Sequence, residues 1–272
     1  MAVGCQVRFP KWNDEEVFIT QPPGFVSKGN EHKVLRLRKA LYGLRQAPRA
    51  WNKRIDNFLH RVGFLKCTTE YGVYVKSLNV TETMLIYLYV DDLLVTGSSS
   101  TCIDQLKEDL KREFEMTDLG ALSYFLGLEF AYDRRGIIMH QRKYILEVLK
   151  KFNMMDCNPA ATPAELSLKL IQDETEVLVD ETLYRQMIGS LRYICHSRLE
   201  ITYSVGIVSR FLSNPKQSHL VAAKRILRYL KATLGYGLIF LHQSKEGDHL
   251  QLLAYSDSDW SGDATDRKTT SG

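Results

Sequence analysis

The sequence predicts an α+β fold in which antiparallel strands dominate the first half and helices the second. Three observations support this prediction. Residues 84–97, MLIYLYVDDLLVTG, join two apolar runs through a pair of acids, as in a hairpin. Residues 124–141 place a polar stretch, Asp133 to Gly136, between two apolar arms and predict a second hairpin with glycine in its turn. Beyond residue 158 the apolar residues recur mostly at helical spacing.

The elements of the first half follow from local patterns. Residues 17–29 give a short strand and then a Pro-Pro-Gly turn. A helix is predicted from Pro48 to Gly63, because Pro suits a helix start and apolar residues recur every three or four positions. A second helix follows the SSST run, which supplies an N-cap. Its apolar stripe comprises Ile103, Leu106, Leu110 and Phe114.

Helices account for most of the second half. They are predicted over residues 143–152, 184–196, 201–213 and 219–237, the last with Gly235 in its C-cap. The chain turns polar and carries two prolines between residues 158 and 180, which predicts a boundary. We therefore divide the sequence into residues 1–157, a mostly helical part 158–247, and a strand with a polar tail at 248–272.

Composition narrows the possible functions. The chain has 272 residues, of which 44% are hydrophobic, so it can bury a substantial core. Its net charge of +4 permits an acidic partner such as nucleic acid. The five cysteines form no CxxC pair, which argues against a zinc site or a disulfide framework. The longest apolar run, residues 84–90, is too short to cross a membrane, so no membrane partner is expected.

Asp91 and Asp92 stand between two apolar arms. Aspartate is common in ordinary turns, because its side chain bonds nearby backbone amides. However, this turn contains no Gly or Asn, and both arms are apolar enough to be buried. Adjacent carboxylates at the rim of a core repel each other unless a cation neutralises them, and hard cations such as Mg²⁺ prefer oxygen ligands. A metal site is the alternative to a plain turn.

Several motifs together resemble the Ty1/copia retrotransposon polyprotein. YVDD at 89–92 looks like the polymerase motif of reverse transcriptases. Its neighbours are similar to segments of the same family, in the same order: QPPGF (21–25), ALYGLRQAPRAW (40–51), DLGALSYFLGLEF (118–130), QRKYILEVLKKF (141–152), KRILRYLKATLGYGLIF (224–240) and YSDSDWSGD (255–263). The resemblance implies a right-hand polymerase, with partial fingers and palm over 1–157, a helical thumb and connection over 158–247, and the truncated start of RNase H over 248–272.

The resemblance also implies the chemistry, which is transfer of a nucleotidyl group from a dNTP to a primer 3′ hydroxyl on an RNA or DNA template. Asp91 and Asp92 would be the catalytic residues and would hold two Mg²⁺ or Mn²⁺ ions. Other roles are implied residue by residue. Nucleotide and template contacts would involve Leu41, Tyr42, Gly43, Gln46 and Pro48; the primer grip Phe125, Leu126 and Gly127; duplex phosphate contacts Lys224, Arg228 and Lys231; and the first RNase H acid Asp257. Taken alone, these segments would be an ordinary loop, another hairpin and a solvated basic face.

Some positions depart from the family's pattern. The family's palm supplies a further aspartate that ungapped alignment puts near Val3, but residues 1–13 contain no acid. The RNase H segment ends after its first acid, and Arg198-Leu199-Glu200-Ile201 and His219-Leu220 stand where the family usually has RPDI and HW. We therefore expect severely reduced or absent polymerisation.

Three hypotheses follow. The chain is a reverse transcriptase region with impaired activity, or a nucleic-acid-binding remnant without catalysis, or a relic whose palm lacks its first strand and exposes a sheet edge. By family analogy the site of action is a cytoplasmic virus-like particle, with the nucleus as an alternative. The sequence leaves the oligomeric state open.

Overall fold

The computed structural model describes residues 2–7, 16–37, 44–45, 47–79, 82–165, 170–171 and 174–241, and for residues 2–7 the backbone alone. The chain divides into two compact units, Met1–Ser123 and Tyr124–Gly272. Both mix helices with antiparallel strands, which confirms the predicted combination of antiparallel strands and helices. The boundary expected at residue 158 falls inside the second unit.

The first unit contains eight strands and two helices among its described residues. In chain order they are β1 (Ala2–Val7), β2 (Phe18–Ile19), β3 (Leu35–Arg36), α1 (Ala47–Arg61), β4 (Leu65–Lys66), β5 (Val73–Ser77), β6 (Thr83–Tyr89), β7 (Asp92–Gly97), α2 (Ser100–Glu113) and β8 (Met116–Ala121). Strands β2 and β3 form a separate two-stranded hairpin, and the other six make one sheet in the order β4-β5-β6-β7-β1-β8.

One face of the six-stranded sheet carries the core of this unit. Along β6, buried residues alternate with more exposed ones, as the period of two in a strand requires. The buried face packs on the apolar stripes of α1 and α2, which are those predicted from the sequence. The core comprises Trp51, Ile55, Phe58, Leu59, Phe64, Tyr74, Met84, Ile86, Leu88, Leu93, Val95, Ile103, Leu106, Leu110 and Phe114. Ser99 caps α2 through its side chain, as the SSST run predicts.

Strand β1 corrects one expectation. The hypothesis of a relic assumed that the sheet lacks its first strand, but residues 2–7 lie between β7 and β8 and pair antiparallel with both. Val3, Cys5 and Val7 recur with a period of two, which suits a strand inside a sheet. The sheet is thus continuous across this position, and what the segment lacks is a carboxylate.

The second unit contains four strands and four α-helices among its described residues. In order they are β9 (Tyr124–Phe125), β10 (Leu128–Asp133), β11 (Gly136–His140), α3 (Arg142–Lys151), α4 (Glu181–Ile194), α5 (Thr202–Val208), α6 (Gln217–Ala232) and β12 (Leu238–Leu241). Single 3₁₀ turns, Leu199–Ile201 and Ser209–Phe211, flank α5. The sheet order is β12-β11-β10-β9, and the helices share a core built around Tyr184, Met187, Leu191, Ile226 and Leu230.

Local details differ from the predictions. The hairpin of β10 and β11 exists, but its turn is Arg134-Arg135, and Gly136 begins the second strand opposite Asp133. Helix α6 ends at Ala232 with Thr233 as its C-cap, so Gly235 is not the cap. No helix in the described part of the chain is long and apolar enough to span a membrane.

Candidate functional site

The two acids lie at a tight hairpin turn. Tyr89 pairs with Asp92, so Val90 and Asp91 are the only residues between β6 and β7. Two-residue hairpin turns require a positive φ in the first position, and Val90 has φ 54°. A β-branched residue rarely adopts that conformation. The backbone is therefore strained at Val90, the residue directly before Asp91 and Asp92.

A tryptophan from α1 holds this turn. The buried Trp51 indole nitrogen donates a hydrogen bond to the carbonyl oxygen of Val90. The indole ring is itself fixed by edge-to-face packing on Phe114, with 5.5 Å between the ring centroids. The hydrogen bond therefore links the turn to α1, one of the helices that pack on the buried face of the sheet.

The carboxylates influence each other electrostatically. Burial raises the pKa of Asp92, and the neighbouring charge of Asp91 raises it further. No ion pair to either acid is seen among the residues that the structure describes. Both side chains are partly buried, so water screens their repulsion incompletely. This is the electrostatic situation that a divalent cation would relieve.

The register of β1 shows which positions adjoin the acids. Gln6 is paired with Asp92, whereas Val3 is paired with the buried Val95. Residues paired directly across an antiparallel ladder share one face of the sheet. Position 6 thus lies on the face of Asp92, and position 3 on the core face. The ungapped alignment and the strand register therefore assign the further aspartate to different residues.

Among the described residues, the oxygen donors at this turn would suit one Mg²⁺ better than two. Carboxylate oxygens are the ligands that Mg²⁺ prefers, and proteins often hold it through one or two carboxylates together with substrate phosphates. Within the described residues, no group of three His, Cys, Asp or Glu side chains is placed to hold a metal. Asp91 and Asp92 fit a single ion that a substrate would help to coordinate.

The residues assigned to the primer grip form a second tight turn, in the second unit. Phe125, the last residue of β9, pairs with Leu128, the first residue of β10. Between them Leu126 has φ 49° and Gly127 φ 82°. Two consecutive left-handed residues are the signature of a type I′ hairpin turn, for which glycine is favoured.

The three basic residues of α6 do not have equal surroundings. Arg228 Nε donates to the carbonyl oxygen of Asn158 at 2.7 Å, and Lys231 Nζ to that of Cys157 at 2.7 Å. Lys224 has no recorded bond to another described residue. Arg228 and Lys231 thus hold the chain after α3 against the helix, in addition to any role towards an external partner.

The structure does not describe all the expected site residues. Leu41, Tyr42, Gly43 and Gln46 lie outside the described residues, and so does Asp257. Pro48 is described, and it occupies the first turn of α1 on the exposed side.

An antiparallel sheet with adjacent carboxylates at a hairpin tip is compatible with a reverse transcriptase-like domain. Residues 11–166 match the family of reverse transcriptases (RNA-dependent DNA polymerases), and the chain belongs to this family. The match begins after β1, the segment that departs from the family's pattern.

Three curated relatives are similar over nearly the whole chain. The Pol polyprotein of transposon RE1 from Arabidopsis thaliana is 41% identical over 95% of this chain and 17% of its own length. That of transposon TNT 1-94 from Nicotiana tabacum is 39% identical over 95% of this chain and 20% of its own length. A transposon Ty5-1 protein of Saccharomyces cerevisiae is 35% identical over 90% of this chain and 79% of its own length. The resemblance to retrotransposon polyproteins is confirmed, and the chain spans about a fifth of the two plant relatives.

Sequence reasoning missed two residues that shape the turns. The helical pattern from Pro48 to Gly63 accounts for Trp51 only as one of its apolar residues, although a tryptophan's N–H usually finds an acceptor when buried. Tyr193, which contacts the turn of Leu126 and Gly127, lies 67 residues from Leu126, and no local pattern links the two.

Proposed function

We propose that this chain is the palm and thumb region of an RNA-directed DNA polymerase, with Asp91 and Asp92 as its metal-binding carboxylates. The observation that carries the proposal is the turn of β6 and β7. There a sheet with one buried face presents two adjacent acids, one with a raised pKa, at a strained turn held by Trp51. An ordinary turn needs none of these features.

A bound Mg²⁺ or Mn²⁺ would supply charge stabilisation for nucleotidyl transfer to a primer 3′ hydroxyl. The chain's own residues contribute position and charge. Asp91 and Asp92 offer oxygen ligands at the sheet end. The turn's fixed backbone keeps them in place, since Trp51 bonds Val90 and the strands on either side pair in register. An intact member of the family is expected to hold two ions, whereas the donors described here suit one.

The partners that follow from this proposal are an RNA or DNA template-primer and dNTPs. Lys224 is the member of the α6 stripe best available for phosphate, since Arg228 and Lys231 already donate to backbone carbonyls. Lysine has three donor hydrogens and arginine five, so Lys231 and Arg228 still have donors left for a phosphate. By likeness to transposon polyproteins we infer a cytoplasmic particle as the site of action, with the nucleus as the alternative.

The proposal is tested by binding before catalysis. Fluorescence anisotropy with a labelled RNA template annealed to a DNA primer measures the binding constant. Its logarithm should fall linearly as the logarithm of the salt concentration rises. Lys224→Gln should lower that slope by about one, the effect of losing one phosphate contact. Lys150→Gln, which changes an exposed lysine of α3, is the matched control and should leave the slope unchanged. No salt-dependent duplex binding by the parent would contradict the proposed function.

A second candidate function is nucleic-acid binding without catalysis. It is favoured by one observation, which is that the position beside Asp92 carries Gln6 rather than an acid. Primer extension on poly(rA)/oligo(dT) with Mg²⁺ or Mn²⁺ separates the two. Extension that Asp91→Asn with Asp92→Asn abolishes supports the polymerase, and duplex binding with no extension by the parent supports the remnant.

A further inference from the structure

The turn between β9 and β10 adopts a conformation that its sequence favours only in part. Gly127 suits the left-handed region, but Leu126 has a φ of 49° in the same region, where a residue with a Cβ is disfavoured. Something outside the turn must therefore stabilise it.

Tyr193 of α4 supplies that stabilisation. Its hydroxyl donates a hydrogen bond to the carbonyl oxygen of Leu126, the residue in the unfavourable conformation. A Cβ added to Gly127 would collide with the same hydroxyl and would lie 3.3 Å from ring atom Cζ. The glycine thus serves both the backbone conformation and the close approach of the tyrosine.

The tyrosine is itself held in place. Its ring packs edge-to-face against Tyr144 of α3, with centroids 4.8 Å apart, and against His196 at 5.7 Å. Burial raises the pKa of the Tyr193 hydroxyl, so the group keeps its proton at ordinary pH and remains a donor.

A buried glutamine completes the arrangement. Gln141 is fully buried, and its Oε1 accepts a hydrogen bond from Ser197 Oγ at 2.8 Å. Among the described residues its amide nitrogen has no acceptor within hydrogen-bond distance. The amide interacts with the Tyr193 hydroxyl and lowers that group's pKa, against the larger effect of burial. Buried polar groups are usually hydrogen-bonded, so an amide nitrogen without a partner needs an explanation. Here the amide lies beside the tyrosine that holds the turn.

We propose that Tyr193 is a positioning residue which holds the Phe125–Leu128 turn in the conformation that contacts the primer strand. The proposal rests on the proposed function, because it assumes that this hairpin touches a primer. Tyr193 touches no reacting group. It acts through the backbone of Leu126, and Gln141 and Ser197 support it.

The experiment uses the full 272-residue chain. Tyr193→Phe removes only the hydroxyl, and Tyr144→Phe is the matched control, since no hydrogen bond of that hydroxyl is seen among the described residues. Hydrogen exchange of the peptide covering residues 124–130 reports opening of the turn. Affinity for a primed template, divided by affinity for the same template without primer, reports primer positioning and needs no catalysis.

We expect exchange in Tyr193→Phe to be about three- to tenfold faster, the factor that corresponds to one ordinary hydrogen bond. The preference for the primed template should fall by a similar factor, and Tyr144→Phe should change neither. Gly127→Ala is a second variant, which changes a residue of the turn itself and not the tyrosine that contacts it. It should also speed exchange, and by a smaller factor when Tyr193 is already phenylalanine, because the clash with the hydroxyl is then gone.

Each outcome has one meaning. Unchanged exchange in Tyr193→Phe would overturn the proposal, because the hydroxyl would then not hold the turn. Faster exchange with an unchanged preference for the primed template would overturn it as well, and would leave the proposed function intact. A parent that shows no preference for primed template would instead refute the proposed function, whatever the variants do.

Discussion

The indole nitrogen of Trp51 donates a hydrogen bond to the carbonyl oxygen of Val90, 39 residues away in the sequence. This bond joins α1 to the turn that presents Asp91 and Asp92. It also stabilises Val90 at a φ of 54°, which costs on the order of 1–3 kcal/mol for a residue with a side chain. The geometry of the acid pair thus depends on a residue that is not itself acidic.

The first prediction concerns this bond. Trp51→Phe should lower the free energy of unfolding by about 2–3 kcal/mol, because the hydrogen bond and part of the core packing are lost. The same substitution in a Val90→Gly background should cost about 1 kcal/mol less, since glycine needs no partner to stay at positive φ. Urea denaturation of the four proteins measures both values. Equal costs in the two backgrounds would show that Trp51 does not stabilise the conformation of Val90.

The second prediction follows from the raised pKa of Asp92. A carboxyl whose folded pKa lies above its unfolded value stabilises the fold most below the unfolded pKa, and this contribution is lost as pH rises through the folded pKa. Asp92→Asn removes the repulsive charge, so without metal the variant should melt about 2 °C higher than the parent at pH 7. At pH 3 the difference should disappear, because the parent's carboxyl is then mostly protonated.

Asp91→Asn is a second test of the same repulsion. It removes the neighbouring charge, and it should therefore shift the melting temperature at pH 7 in the same direction. Addition of Mg²⁺ should raise the melting temperature of the parent and not that of the double variant. A parent that melts at the same temperature as Asp92→Asn at pH 7 would show that the pair is not repulsive in solution.

The third prediction uses the register of β1. Gln6→Asp should bind Mn²⁺ about tenfold more tightly than the parent, because a third carboxylate then stands opposite Asp92, and tenfold corresponds to about 1.4 kcal/mol. Val3→Asp is the matched control, since position 3 is paired with the buried Val95 on the other face. Isothermal titration calorimetry measures both affinities. Tighter binding by Val3→Asp and not by Gln6→Asp would support the ungapped alignment over the strand register.

The sequence predicted those parts of the fold that depend on local pattern. The hairpin of β6 and β7 and the helices α1, α2 and α3 have periodic apolar faces, so their existence and type could be read directly. Strand β1 was missed because its role depends on pairing with β7 and β8, which lie about ninety and more residues further along the chain.

The same distinction applies to the candidate site. Asp91 and Asp92 could be found because two acids between apolar arms are a local anomaly. The bonds from Trp51 to Val90 and from Tyr193 to Leu126 could not, since each joins residues that are distant in sequence. The basic stripe of α6 was visible as a pattern, but its bonds to the carbonyls of Cys157 and Asn158 depend on how the chain after α3 returns to the helix.

The fourth prediction concerns a buried arginine at one departure from the family's pattern. Arg198 is fully buried, and its Nε lies 2.6 Å from Glu200 Oε1 while its Nη1 donates to the carbonyl oxygen of Thr233 at 3.0 Å. Glu200 supplies the carboxylate where the family usually has aspartate. Arg198→Met should lower the free energy of unfolding by about 2–3 kcal/mol, because several charge-assisted hydrogen bonds are lost.

The exposed pair of Arg185 and Glu181 on α4 is the comparison for Arg198. Surface ion pairs contribute little, so Arg185→Met should cost less than about 1 kcal/mol. Thermal and urea denaturation of both variants rank the two sites. Similar losses for Arg198→Met and Arg185→Met would indicate that the buried network makes no special contribution.

The last prediction is a pH dependence that originates at His219. Its Nδ1 accepts a hydrogen bond from the backbone N–H of Lys216 at 3.0 Å, so the neutral ring carries its proton on Nε2, which lies 3.0 Å from the carbonyl oxygen of Ile171. A second proton would have to occupy Nδ1, which already faces a donor. Burial lowers the pKa of His219, and the charge of Lys216 acts in the same direction, while the Ile171 carbonyl and Glu176 oppose them.

The sign follows from the lowered pKa. The unfolded chain binds a proton at His219 near pH 6.5 and the folded chain only at lower pH, so the contribution to stability is complete above 6.5 and is lost as pH falls below it. For this one group the slope is at most about 1.4 kcal/mol per pH unit. His219→Gln should flatten the dependence between pH 7 and 5, since glutamine does not titrate. An unchanged slope in His219→Gln would mean that the ring accepts its second proton without disturbing the start of α6.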